Sequence, residues 1–135
     1  MIVNGDLLES NVDIILHQVN LDGIMGGGIA YQIANKHPHV LREYQLFENK
    51  TLGEVCFAKT TKYVVGNCFS QTANYDTDYV ALELCLDKVI EYMKQNDLKT
   101  IGIPYKYGCG IANGDWEIVS KIFERKIPNV LIYKL

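Results

Sequence analysis

The stretch Asp22-Gly23-Ile24-Met25-Gly26-Gly27-Gly28-Ile29-Ala30-Tyr31 decides how the rest of this 135-residue chain is read. Its three consecutive glycines leave backbone amides without Cβ cover. A helix-compatible run from Ile29 to Lys36 follows at once, so free amides and a positive helix end can face one point. That is a setting for a phosphate. The bland alternative is a flexible surface loop. A β-like run before the glycines and an apolar helix after them favour a binding loop instead.

Working outward, Val12 to His17 is β-branched and nearly continuous in apolar character, as in a strand buried on both faces. It delivers His17 to Asn20 to the glycine loop. Upstream, Met1 to Asn4 reads as a short strand ended by Gly5-Asp6. Downstream, one helix covers Gly28 to Lys36 and a second runs from about Pro38 to Phe47, with Pro38 in its first turn. Glu54 to Lys59 and Lys62 to Asn67 read as successive strands of a hairpin. Ser70 to Asp78 has turn-forming composition and predicts a mobile loop.

Leu82, Leu86, Val89 and Met93 then fall at helical spacing, giving an amphipathic helix over roughly Asp78 to Gln95. Thr100 to Pro104 is a short buried strand that enters a second glycine loop, Tyr107 to Gly114. A helix from about Asp115 to Lys126 puts Trp116, Val119 and Phe123 on one face, and Asn129 to Tyr133 closes the chain as a strand. The order β, β, α, α, β, β, α, β, α, β predicts a three-layer α/β/α domain around a mixed, mostly parallel six-stranded sheet, with residues 1–135 as a single domain.

Both glycine loops follow a buried strand and precede a helix. In open α/β sheets such loops lie at the carboxyl ends of the strands, where ligands bind. If the two strands are neighbours, the loops are opposite walls of one cleft, which suits the acceptor oxygens of a diphosphate. Neither GxxxxGK[ST] nor GxGxxG is present, which argues against the standard nucleotide motifs.

Composition narrows the classes further. Thirteen basic and sixteen acidic residues give a formal charge of -3 with no Lys/Arg block, so no nucleic-acid footprint is visible. No segment approaches the ~20 apolar residues needed to cross a bilayer, and the N-terminus lacks a signal-peptide pattern. A cytoplasmic protein without membrane association is expected. Cys56, Cys68, Cys85 and Cys109 form no CxxC pair and have no regularly spaced histidines, so neither a metal nor another cofactor is expected. Oligomeric state is not encoded in these features.

Gly5-Asp6-Leu7-Leu8, His17-Gln18-Val19-Asn20 followed by Gly26-Gly27-Gly28-Ile29-Ala30-Tyr31, and Pro104 followed by Gly108-Cys109-Gly110-Ile111 together resemble the macro domain family of ADP-ribose binders. The resemblance covers essentially the whole chain. Within that family, the region from His17 to Gln32 is most similar to the group that removes phosphate from ADP-ribose 1″-phosphate. The resemblance implies a small-molecule ligand, ADP-ribose or its 1″-phosphate. It implies that Asp6 takes the adenine amino group, with Gly5 and Leu7 beside the base. It further implies that Asn20 contacts the distal ribose, with Gln18 and Val19 leading into it. Met25, Gly26, Gly27, Gly28, Ile29 and Ala30 would line that ribose and one side of the diphosphate. Tyr107, Gly108, Cys109, Gly110 and Ile111, continuing to Ala112 and Asn113, would hold the other side.

Phosphomonoester hydrolysis needs an attacking water, charge stabilisation and a proton donor for the leaving oxygen. His17, whose ordinary pKa suits proton transfer near neutrality, leads the catalytic candidates, with Asn20 and Asp22 beside it. The competing account of His17 is a buried, hydrogen-bonded histidine, and that of Asp22 is a turn residue before glycine. A second macro domain mechanism uses a lysine to attack the ribosyl carbon and an aspartate after the second glycine motif. Here Ala112 stands after that motif and no lysine lies near Cys68-Phe69, which argues against that route. The resulting expectation is an ADP-ribose 1″-phosphate phosphatase. The alternatives are a non-catalytic ADP-ribose binding module and a hydrolase that frees ADP-ribose from protein or nucleic acid.

Overall fold

The computed structural model describes residues 1–110 and 112–135. Six strands form one sheet: β1 (Ile2–Asn4), β2 (Ile14–Val19), β3 (Val55–Lys59), β4 (Val64–Phe69), β5 (Ile101–Pro104) and β6 (Leu131–Lys134). Their spatial order is β1-β6-β5-β2-β4-β3. Every pairing is parallel except the β3–β4 hairpin, so the sheet is mixed and mostly parallel, as the element order predicts. Strand boundaries shift: β2 starts two residues later than its apolar run and continues to Val19, and β4 runs on to Phe69.

Side-chain alternation along β2 builds the two halves of the core. Ile14 and Leu16 join one cluster, with Leu82, Leu86 and Val89 of α3 (Tyr79–Gln95) and Val119 and Phe123 of α4 (Trp116–Lys126). Ile15 and Val19 join the other, with Ile33 of α1 (Gly28–Lys36) and Val40 and Tyr44 of α2 (Pro38–Leu46). The central strand is therefore covered on both faces, the condition that its nearly unbroken apolar sequence requires.

The helices start where their side chains can satisfy free amides. Asp78 accepts from Ala81 N at the head of α3, and Asp115 accepts from Glu117 N at the head of α4. Between α1 and α2, Pro38 takes the first helical position and holds the preceding His37 out of helical geometry. No helix among the described residues is long and apolar enough to cross a membrane.

Candidate functional site

Because β1, β6, β5, β2 and β4 are parallel, their carboxyl ends share one edge of the sheet. The two glycine loops leave from the neighbours β2 and β5. Between them lies a cleft of about 530 Å³, lined on one side by Asn20, Ile24 and Gly26–Ala30, and on the other by Tyr105–Gly108, Gly110 and Ala112. Gln18, Val19 and Pro104 form its floor, while Gln71 and Tyr75 close its side.

The β2 wall is held from behind by α2. The buried Tyr44 hydroxyl lies 2.6 Å from both the backbone and the side-chain oxygen of Asn20, and it accepts from Gly23 N at 3.1 Å. Burial raises this phenol to about 12, so it remains a donor at neutral pH. Asn20 completes the turn: its side chain donates to Ile24 O at 2.8 Å and accepts from Asp22 N at 3.0 Å. Among the described residues the amides of Gly26 and Gly27 have no acceptor, and the first turn of α1 begins directly after them. These free donors face the conditions that favour an anion.

The β5 wall is shaped by close backbone contact. Gly108 is left-handed at φ +70°, and a Cβ there would stand 2.8 Å from the Thr77 hydroxyl. At Gly114 a Cβ would lie 2.4 Å from Gly108 O, so only glycine fits this crossing. Lys106, also left-handed at φ +59°, is the charged residue in the cleft lining among the described residues. Beside it, Tyr105 touches Trp116 edge-on at 5.3 Å between ring centroids.

The segment from Ser70 to Asp78 departs from the mobile loop expected of its composition. Gln71 bridges Thr77, Thr72 N donates to Asp76 O at 2.8 Å, and Asp78 N donates to Ser70 O at 2.8 Å. Thr77 then ties this turn to the β5 loop, donating through its hydroxyl to Gly108 O at 2.7 Å and through its amide to Ala112 O at 3.0 Å. Gln18 joins the same network through Ser70 and Thr77, and Ser70 also bonds the buried Tyr107 hydroxyl at 2.8 Å. The Ser70 to Asp78 turn and the β5 loop are thus locked to each other and to the end of β2.

His17 does not belong to this network. It is completely buried, and its Nε2 lies 2.6 Å from Asn67 Oδ1 on the neighbouring strand. The Asn67 amide donates to Cys56 O, so its oxygen must accept and the His17 proton sits on Nε2. Its Nδ1 has no partner among the described residues. Desolvation outweighs the Asn67 bond and lowers the ring to about 4, leaving it neutral near pH 7 and without contact to the cleft. His17 thus lies away from the cleft lining, in the setting of the buried, hydrogen-bonded histidine that was its competing account.

Other expected positions divide by geometry. Gln18, Val19, Asn20, Gly26, Gly27, Gly28, Ile29, Ala30, Tyr107, Gly108, Gly110 and Ala112 all line the cleft. Met25 does not; its side chain is 6% exposed and belongs to the core under α1, where it anchors the loop. Cys109 turns its thiol to Tyr107 O at 3.2 Å, and burial raises its pKa, which removes the thiolate a nucleophile needs. Asn113 is left-handed and outside the lining, and Ile111 lies outside the described residues. Gly5, Asp6 and Leu7 lie beyond the cleft lining, at the end of β1 on the same sheet edge, and Asp6 caps the short turn after it by accepting from Leu8 N. Asp22 is not in the lining either, but its carboxylate bonds the hydroxyl of Tyr75, which is.

Ile24, Gln71, Tyr75, Pro104, Tyr105 and Lys106 were not expected in the lining. Pro104 and Tyr105 had a legible signal, since they directly follow β5 at the edge where the second glycine loop starts. Gln71 and Tyr75 had none, because what folds their segment back is a set of bonds to Gln18 and Gly108, distant in sequence.

Residues 16–123 match the sequence profile of the Macro domain. The chain belongs to the macro domain family. Among similar proteins, the bovine ADP-ribose glycohydrolase OARD1 is 27% identical over 98% of this macro domain and 90% of its own length. The O-antigen biosynthesis glycosyltransferase WbnJ of Escherichia coli is 31% identical over 90% of this chain and 47% of its own. An ADP-ribose 1″-phosphate phosphatase of Candida glabrata is 40% identical over 38% of this chain and 32% of its own. The macro domain described here thus spans half or less of the length of several curated relatives it matches. A crystal structure of a Bacteroides thetaiotaomicron protein superposes with a TM-score of 0.89 at 26% identity, covering 100% of this chain and 99% of the other.

Proposed function

We propose that this macro domain binds ADP-ribose and hydrolyses the phosphate ester of ADP-ribose 1″-phosphate. The observation that carries the binding reading is the pair of glycine loops facing each other across one cleft at the carboxyl ends of β2 and β5. The free amides of Gly26 and Gly27 and the start of α1 offer donors to one side of a diphosphate, and the Lys106 ammonium offers a counter-charge on the other. The distance along the sheet edge agrees. From β1 to β4 there are four strand spacings, roughly 19 Å at about 4.8 Å each, room for an extended nucleoside diphosphate sugar. Adenine then lies toward Asp6, whose Oδ1 is engaged by Leu8 N while its second oxygen remains for the amino group. The distal ribose lies toward Asn20 and Tyr75.

In the hydrolytic step, water adds to phosphorus as the bond from phosphorus to the 1″ oxygen breaks; one water proton ends on that oxygen and the other stays with the phosphate, so that phosphate and ADP-ribose are released. With His17 withdrawn, Asn20 and Asp22 are the proposed carriers. Asn20 positions the ribose, and the Asp22 carboxylate orients the water. The relatives named as acting on ADP-ribose and on its 1″-phosphate support this substrate class.

The burial of His17 favours a second reading, a binding module without turnover. Calorimetric titration with ADP-ribose, followed by a phosphate-release assay on ADP-ribose 1″-phosphate, separates the two. Release that disappears in Asp22→Asn supports the phosphatase. Binding without release leaves the module, and an absence of binding removes both.

A further inference from the structure

The Tyr75 side chain crosses the β4 end of the cleft. It projects from the turn between Ser70 and Asp78, lines the cleft, and places its hydroxyl on the Asp22 carboxylate of the β2 loop. The two residues belong to different loops, 53 positions apart in sequence, so their bond ties the turn after β4 to the loop after β2 beside the opening. Both ends are fixed. Asp22 N is held by Asn20, whose side chain is gripped by Tyr44, and the Tyr75 turn is pinned through Thr72, Thr77 and Gly108. Tyr75 itself is left-handed at φ +66°, a conformation that side-chain-bearing residues rarely adopt, and this backbone aims the ring across the gap. The hydrogen bond to Asp22 holds the phenol above its ordinary pKa.

We propose that the Tyr75–Asp22 clasp bars the distal-ribose end of the cleft, so that the site accepts free ADP-ribose compounds and excludes ADP-ribose attached through its distal ribose to a protein chain. This rests on the reading that the cleft holds ADP-ribose with its distal ribose toward β4. On this reading a phosphate ester ends within the cleft, whereas an attached polypeptide has to leave through the opening beside the ring. Specificity arises from a steric obstacle to the wrong substrate, not from an added contact to the right one.

The test compares dissociation constants for free ADP-ribose and for a peptide carrying ADP-ribose on its distal ribose, in the native chain, Tyr75→Phe and Tyr75→Gly. Glycine is at ease at φ +66°, so Tyr75→Gly keeps the turn while removing the bar. Tyr75→Phe keeps the ring and removes only the bond. The native chain is expected to bind the peptide at least about tenfold more weakly than free ADP-ribose. Tyr75→Gly should bring the two within about threefold, with Tyr75→Phe between them. Equal affinities in the native chain, or a ratio unchanged in Tyr75→Gly while free ADP-ribose still binds, overturns the clasp alone. Failure of the native chain to bind free ADP-ribose overturns the underlying ligand reading and the clasp with it.

Discussion

His17 sits between Ile15 and Val19 on the face of β2 that packs against α1 and α2, and that alternation carries a pH consequence. Its folded-state pKa of about 4 lies below the ordinary 6.5, so between those values the unfolded chain binds the extra proton. Stability from the neutral ring is complete above pH 6.5 and declines as pH falls, levelling off near pH 4. The whole difference is on the order of 3 kcal/mol. Urea denaturation of the native chain and of His17→Asn between pH 7 and pH 4 checks this, and the native chain should lose more stability by about that amount. A second residue-scale expectation concerns Tyr44. Tyr44→Phe removes the hydroxyl shared by Asn20 and Gly23 and should cost about 1–3 kcal/mol in thermal or urea unfolding. It should also weaken ADP-ribose binding by loosening the β2 wall. The inward direction of His17 was legible in the sequence, because a period of two puts it with its apolar neighbours. Its ordinary pKa carries no information about register, which is why the catalytic and the buried accounts stand side by side in the sequence.

The two glycine loops make different demands on their elements, and paired substitutions separate them. A Cβ at Gly27 meets nothing within 4 Å, and its backbone at φ -155° is open to any residue. Gly27→Val should therefore change stability by no more than about 0.5 kcal/mol, while filling cleft space and lowering ADP-ribose affinity by tenfold or more, roughly 1.4 kcal/mol. Calorimetry beside a thermal melt reads both. Gly114→Ala acts the other way, since its Cβ would meet the Gly108 carbonyl. It should displace the β5 loop and lower stability by about 1–3 kcal/mol along with affinity. Both loops were legible because each glycine cluster separates a β-branched run from an amphipathic helix. The Ser70 to Asp78 turn was not, since its polar sequence carries no period. Its order comes from Gln18 and Thr77, 59 residues apart, whose side chains meet only after β2 and β4 have paired.

At the scale of the whole molecule, β6 connects the edge strand β1 to the rest of the sheet. Removing residues 131–135 should leave β1 without a partner, expose Ile103 and Ile101, and abolish a cooperative thermal transition followed by circular dichroism. The layer architecture was legible from the order and type of elements. The sequence of strands across the sheet was not, because parallel neighbours are joined by long crossovers that leave no local trace. Only the β3–β4 hairpin, with its short connection, announced its own pairing. That β2 and β5 would be neighbours, on which the shared cleft depends, became visible only in the assembled sheet.

The edge-on contact between Tyr105 and Trp116 gives the molecule its own optical gauge. Trp116 is the one tryptophan in the chain, and the tyrosine it touches lines the cleft. Its emission needs no label and has no competing indole elsewhere to dilute it. Any occupant that shifts the Tyr105 ring, or stacks near it, changes the surroundings of that single fluorophore, so filling of the site can be followed in real time by light.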